Sequence, residues 1–512
     1  MYSVEKNITL VESCLWQAQR EFFDKEGIKA WQGQVPFFVT SNPFIAHANA
    51  KLILAYLQDL QSQNLLNPNE PVYIFELGTG SGQFSFYCMQ ALQELLIQTN
   101  TELSLCYVLT DFTERNLEFW QQQKVLNSIT ALEFDFALFD LENPADPYLV
   151  KQKHHLKHLA NPAVLIGNYI FDSVRQNYYA MEHGALVEKR IETLVPFKDY
   201  DQQHKKLLSL KDAKIKAYSA PYAWQKTEIP EETYLHFYET HLPSGLFSLP
   251  LGGFKALDYF QKLSPQGIML ISSDKGYNTL PEIENRKTLE LISHGSFSLD
   301  VNFHALGLYF EFSGGRAFLQ SYRDGIKTNV FLTNPKDTPH LEQMIEEVCE
   351  NLSPADYFYY HRRFRNDDFK AKSALTQFNL GRHDPYVFSL FVDKICSTLK
   401  TSRNKALVDA YLELIPKFHA HIYPLPAGTD YYFDLGLLLH TLEHYEAALS
   451  YFEESLQVYG EKFASLYNLG VCLYMLGKVK ESEPFFKKAQ YHETGTEQKS
   501  QTWLDKIKNQ QP

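Results

Sequence analysis

The run Phe75-Glu76-Leu77-Gly78-Thr79-Gly80-Ser81-Gly82-Gln83-Phe84 sets an acid two positions before three glycines at every second residue. Val72 to Leu77 reads as a buried strand and Phe84 to Gln98 as the helix after it, so the glycines fall in a strand-to-helix turn. A side chain there would block a ligand pressed against the backbone, and glycine removes the obstacle. The G-x-G-x-G spacing differs from the G-x-G-x-x-G that seats a pyrophosphate on a helix N-terminus. A phosphate gains nothing from Glu76 beside it, whereas a carboxylate suits the positive amino-acid end of S-adenosylmethionine. Glu76, Gly78, Thr79, Gly80 and Gly82 are therefore the expected cofactor loop.

Asp111 closes the second predicted strand, Leu103 to Thr110, 31 residues beyond Gly80. That is where a doubly wound fold holds the ribose diol of an adenosine ligand. The same carboxylate can cap the helix from Glu114, and the two roles are compatible. At the end of the third strand, Asp135 or Asp140 can reach an adenine amino group, with Asp140 preferred. The fourth strand ends in Gly167-Asn168-Tyr169-Ile170-Phe171-Asp172-Ser173. Reactants in open α/β sheets sit beyond the strands' carboxyl ends, so Asn168 and Asp172 are the expected catalytic residues. Asp172 can take a proton from a nitrogen acceptor or orient a guanidinium. His154, His155 and His158 would space two imidazoles one turn apart on a helix, but no acid or cysteine follows usefully, and no metal site is assigned.

These residues need a scaffold. From about Val35 to Arg323, short apolar runs alternate with amphipathic stretches, the pattern of an α/β sheet. Ile129 to Phe139, Ala163 to Tyr169, Ile268 to Ser272 and Ala317 to Gln320 are further strand candidates. Pro196 to Pro230 reads as an insertion with some helix. Helical periodicity takes over after about Asn334. Gly436 and Gly470 lie 34 residues apart, as do Phe452 and Phe486. The segments DYYFDLGLLLHTLEHYEAALSYFEESL and ASLYNLGVCLYMLGKVKESEPFFKKA resemble tetratricopeptide repeats, in which glycine lets paired helices approach and aromatics fill the groove. Tyr386 to His419 is expected to add a degenerate helix pair, and Glu497 to Lys508 a polar capping helix.

The glycine loop, IGNYIFDS and later segments together resemble the MidA-like methyltransferases, which include the arginine methyltransferases that assemble mitochondrial complex I. Asn168, Phe171 and Asp172 match the family's N-E-x-F-D-A-L-P motif, and QNYYAMEHGALVEKRI resembles the hairpin after it. PFFVTSNPF, centred on Thr40 and Ser41, resembles an upstream family segment. Asp274 and Gly276 match its D-Y-G segment, and Gly295, Asp300 and Phe303 a later stretch. Tyr169 stands where the family has glutamate, and Ser173-Val174-Arg175 where it has A-L-P. The resemblance implies a class I, Rossmann-like S-adenosylmethionine-binding sheet with insertions, and arginine as acceptor. An all-α tetratricopeptide-type domain would follow. The expected division is 1–335 for the methyltransferase domain (core about 35–323, insertion about 196–230), 336–384 for a helical linker, and 385–512 for the repeats.

The 512 residues are 45% hydrophobic and 14% aromatic, which suits several packed domains rather than a disordered chain. A formal charge of −13 makes general binding of nucleic acid or anionic membrane unfavourable. Six scattered cysteines without a CxxC pair, no secretory signal and no long apolar span point to a reducing, cytoplasmic setting. The expected function is methylation of a protein side chain, with the repeats recruiting a protein partner. An inactive assembly or adaptor factor on the same fold, or a small-molecule methyltransferase, are the alternatives.

Overall fold

The computed structural model describes residues 1–31, 38–224, 231–284, 286–293, 295–366, 369–402, 404–494 and 498–509. The chain forms two compact units, Met1–Tyr359 and Tyr360–Pro512.

The first unit opens with strand β1 (Tyr2–Thr9) and helices α1 (Cys14–Glu26) and α2 (Pro43–Ser62). Next come β2 (Val72–Glu76), α3 (Gln83–Thr99), β3 (Leu105–Asp111), α4 (Glu114–Gln122), β4 (Glu133–Leu138) and β5 (Ala163–Asn168). An antiparallel layer follows: β6 (Asn177–Glu182), β7 (Ala185–Val195), β8 (Lys214–Pro221), α5 (Glu231–His241) and β9 (Gly245–Leu249). The chain then returns through α6 (Leu251–Leu263), β10 (Ile268–Tyr277), α7 (Phe303–Phe312), β11 (Arg316–Phe318) and β12 (Ile326–Leu332).

The main sheet runs β4-β3-β2-β5-β10-β12-β11, with the two-residue strand Val301–Asn302 beside β10. Strands β2 to β5 and β10 are parallel, and β12 runs antiparallel between β10 and β11. Numbered within the sheet, the order is 3-2-1-4-5-7-6, the class I methyltransferase arrangement that the resemblance implied. Parallel strands are covered on both faces, so they read as unbroken apolar runs. Accordingly every residue of β2 and β3 is buried. Phe75 packs on Phe260 of α6, with ring centroids 5.1 Å apart, within a core that includes Val108, Leu165, Phe171 and Leu270.

The sequence reading missed β12. Its centre is polar (Lys327, Thr328, Asn329), yet all seven residues are buried. Partners from elsewhere in the chain make this tolerable. Lys327 pairs with Glu282, and Asn329 accepts from Asn278 Nδ2 at 2.9 Å and from the Gln320 N–H at 2.8 Å. Within the insertion expected at 196–230, residues 225–230 lie outside the described set, and the rest holds one short helical turn (Phe197–Asp199) and more strand than helix. Its strand β8 pairs antiparallel along β7, which gives the backbone groups partners without a helix. The segment QNYYAMEHGALVEKRI does form a hairpin, β6–β7, closed by His183 and Gly184, both with positive φ (52° and 77°).

In the second unit, α8 (Ala371–Leu380), α9 (Pro385–Ser389), α10 (Val392–Lys400) and α11 (Lys405–Ala420) precede the repeats. Tyr386 to His419 is thus three helical segments, not one repeat-like pair. The repeats follow as α12 (Tyr431–Thr441), α13 (Tyr445–Tyr459), α14 (Phe463–Met475) and α15 (Val479–His492). A Cβ at Gly436 would lie 2.8 Å from the Phe452 ring, and one at Gly470 would lie 3.0 Å from Phe486. The 34-residue period therefore repeats a packing contact as well as a spelling. Glu497 lies outside the described residues, and the last helix is α16 (Lys499–Asn509). It is amphipathic rather than polar throughout. Trp503 stacks on Phe486 with centroids 5.6 Å apart, and Leu504 and Ile507 are buried.

Candidate functional site

The parallel strands deliver their terminal residues to one edge of the sheet. Glu76 ends β2, Asp111 ends β3, Asn168 ends β5, and Asp140 and Asp172 lie just beyond β4 and β5. The strand order reverses between β2 and β5, which opens a crevice there. Gly78, Gly80 and Gly82 all have positive φ (65°, 61° and 83°), so the loop uses the freedom glycine supplies. A Cβ at Gly80 would meet the Trp31 ring at 2.7 Å, and one at Gly78 would meet Ile170 Cδ1 at 2.5 Å.

Two neighbouring cavities occupy the crevice. The larger, of about 280 Å³, is lined by Asp111, Phe112, Asn116, Asp140, Leu141 and Asp172, among others. The smaller, of about 30 Å³, is lined by Thr40, Ser41, Glu76, Thr79, Phe84 and Asn168, among others. Gly78, Trp31 and Tyr169 border both. Residues 36 and 37 of the PFFVTSNPF segment lie outside the described set. Thr40 and Ser41, from its centre, do face the smaller cavity.

Trp16, Gln19, Arg20 and Phe23 of α1, with Trp31, also line the larger cavity. The sequence reading assigned this amino-terminal stretch no part in the site. No glycine pattern or strand end marks it; its signal is a cluster of aromatics and one arginine on an amphipathic helix. Arg20 makes a bidentate bond to Asp140 (2.7 and 3.1 Å) and lies 4.4 Å over the Phe112 ring, which ties α1 to the ends of β3 and β4.

The carboxylates are more fully engaged than the sequence suggests. Asp111 Oδ1 accepts from the N–H and hydroxyl of Thr113, and Oδ2 from the Gly80 N–H (3.1 Å) and Asn116 Nδ2 (2.9 Å). It therefore fixes the turn at Thr113, which holds the N-cap position of α4, and braces the glycine loop; the helix cap anticipated for Asp111 is not made, since it accepts from no backbone N–H of the first helical turn. Asp140 accepts from Arg20, Asn143 and the Glu142 N–H. Burial opposes its charge, but the bonds from Asn143 and Arg20 prevail and hold the carboxyl below its usual range. Asp135 borders neither cavity. It accepts from the backbone of Phe136, Lys151 and Gln152, which anchors that loop. Thr79 Oγ1 accepts from the Thr110 N–H at 3.1 Å, a link between two strand ends.

Some polar atoms are left over. Asn168 Oδ1 and Nδ2 are shut from solvent without a partner among the described residues, as is Asn116 Oδ1. Buried amide atoms are rarely left unpaired, so such atoms in cavity walls point to a ligand. Asn116, on the first turn of α4, is a candidate the sequence reading missed. The histidines His154 and His155 form a two-residue strand, so the one-turn helical spacing considered for a metal does not arise.

Glu76 is buried, and its Oε2 accepts from Ser85 Oγ and from Tyr107 OH at 2.7 Å. Burial pushes the carboxyl up to about 7, against those two bonds, which favour the charged form. In the unfolded chain it ionises near 4.5, so stability falls as pH rises from 4.5 to 7 and then levels. Glu76→Gln is therefore expected to gain on the parent across that window, by up to about 3 kcal/mol. Urea denaturation of both at pH 5 and 7.5 checks this. A difference that does not change with pH would contradict it.

The sequence pattern of the tetratricopeptide repeat matches residues 429–461, the first of the two copies. No curated protein matches the chain. Among solved structures, it is similar to an uncharacterized protein from Burkholderia thailandensis: 13% identity, 60% of this chain and 79% of that one covered, TM-score 0.35. It is also similar to a “likely methyl transferase” from the same organism, bound to S-adenosyl-homocysteine: 14% identity, 60% and 80% covered, TM-score 0.35. The CurJ carbon methyltransferase is more distant, at 10% identity, 55% and 53% covered and a TM-score of 0.25. No helix among the described residues is long and apolar enough to cross a membrane.

Proposed function

We propose that the protein is an S-adenosylmethionine-dependent methyltransferase acting on a protein side chain, arginine by its MidA-like resemblance. The observation that carries this reading is the glycine loop between Glu76 and Asp111, at the reversal point of a 3-2-1-4-5-7-6 sheet, opening onto both cavities. Glu76 and Asn168, with Thr40 and Ser41, would hold the amino-acid end in the smaller cavity over Gly78, Thr79, Gly80 and Gly82. Asp111 and the unpartnered Asn116 Oδ1 would hold the ribose, and Phe112 and Leu141 would flank the adenine beside Asp140. Asn168 and Asp172 would face the acceptor.

The cofactor supplies an activated methyl group on a sulfonium. The protein's contribution is therefore mainly alignment of the acceptor, with Asp172 placed to take a proton. The repeats would recruit the protein acceptor, since such arrays bind helices or extended peptides. We assign residues 1–335 to the catalytic part, 336–384 to a linker and 385–512 to the repeat part, working in the cytoplasm. An adaptor on the same fold is the second reading. It is favoured by the full engagement of the Asp111 and Asp140 carboxylates within the protein.

Isothermal titration of the full chain with S-adenosylmethionine and S-adenosylhomocysteine separates the two. The enzyme reading expects saturable binding of both at one site per chain. Failure of both to bind would leave the adaptor.

A further inference from the structure

We infer that Trp31 and Tyr169 form an aromatic neck that holds the positive sulfur of the methyl donor and makes the site prefer S-adenosylmethionine to its uncharged product. This deepens the cofactor reading above and rests on it.

The place of the sulfur follows from covalent structure. In S-adenosylmethionine it carries both the amino-acid chain and the ribose. A donor with its amino-acid end in the smaller cavity and its adenosine in the larger therefore has its sulfur where the two meet. Three residues border both cavities: Trp31, Gly78 and Tyr169. Gly78 brings only backbone, and Ile170 Cδ1 lies 2.5 Å from where a Cβ would stand. The side chains at the neck are thus an indole and a phenol. The carboxylates stand to either side, with Glu76 on the smaller cavity alone and Asp111, Asp140 and Asp172 on the larger alone.

Both rings are positioned by other parts of the fold. Trp31 ends the short helical turn Gly27–Trp31 and stacks on Phe23, with centroids 5.8 Å and planes 22° apart. Its Nε1 is shut from solvent without a partner among the described residues. Buried donors are rarely left unpaired, and the carboxylate of a ligand in the smaller cavity is a fitting acceptor. Tyr169 has a φ of 48°, a conformation that disfavours any side chain with a Cβ. Its N–H donates to the Ser273 carbonyl of β10 at 3.0 Å, which pins the residue there. Strain of this kind collects where a side chain is aimed at a ligand. Burial, with Asp274 and Asp172 nearby, raises the phenol above its ordinary value, so the ring stays neutral.

An aromatic face attracts a cation held over it, most strongly where water is excluded. S-adenosylmethionine brings that cation, whereas S-adenosylhomocysteine has the same amino acid and adenosine with a neutral sulfur. The neck therefore reads the charge that is lost when the methyl leaves, and favours exchange of product for fresh donor.

Titration calorimetry of the full chain with each ligand gives the ratio of the two affinities. Tyr169→Leu keeps apolar bulk for the extra methyl but has no ring face. It should shift the ratio against S-adenosylmethionine by about 3- to 30-fold. Tyr169→Phe restores the face and with it the parent's ratio. Trp31→Leu, on a separate element, should shift the ratio in the same direction, and it carries the test where Tyr169→Leu fails to fold. A general loosening of the site weakens both ligands alike and leaves the ratio unmoved. The parent's ratio in either folded leucine variant overturns the inference and leaves the cofactor reading intact, since both ligands still bind. Failure of both ligands to bind the parent overturns both.

Discussion

Gly80→Arg is expected to weaken binding of S-adenosylhomocysteine by at least about a hundredfold. Two effects combine. The residue holds φ at 61°, a conformation that disfavours any side chain with a Cβ, and the Cβ itself would meet the Trp31 ring at 2.7 Å. Trp31 borders both cavities, so relief of the clash moves a wall of the site and puts the arginine into it. The Gly80 carbonyl also accepts from Trp120 Nε1 at 3.0 Å and its N–H donates to Asp111, so rotating the peptide disturbs contacts to α4 and to the end of β3. Titration calorimetry on the folded variant, checked by circular dichroism, measures the loss. Affinity equal to the parent's would move the cofactor site away from the loop.

Phe452→Ala is expected to destabilise the repeat unit by about 3–5 kcal/mol. Phe452 is fully buried, packs in the space left by Gly436 and meets Phe433 with centroids 5.6 Å apart. Removing the ring leaves a cavity between α12 and α13 that the glycine cannot fill. Thermal and urea unfolding of the full chain should show the loss as an earlier transition. The equivalent Phe486→Ala, 34 residues on, should behave likewise, because Phe486 is as buried against Gly470 and also carries Trp503. Unfolding unchanged from the parent would mean the glycine–phenylalanine contacts are not what joins the helix pairs.

Local order was legible wherever one segment's own chemistry dictates its environment. Strands such as VYIFE announce themselves because both faces are covered, and the glycine loop because only glycine suits its positive φ. The repeat was legible because the same contact recurs every 34 residues. Strand β12 was not, since its polar centre is satisfied by Glu282, Asn278 and Gln320, which come from elsewhere in the chain. A local pattern cannot report partners that lie 9 to 51 residues away.

The same distinction runs through the candidate site. Composition and spacing alone determined an α/β region with an acid-flanked glycine turn and a helical repeat region, because these follow from periodicity and backbone freedom within short stretches. Tertiary structure alone decided that Asp140 rather than Asp135 borders the cavity. It also brought Arg20, Phe23 and Trp31 over the crevice and set Asp274 behind Asp172. Those are meetings between separate elements. Their geometry is set by how the strands order and how the amino-terminal helix packs, and no single segment of the chain encodes it.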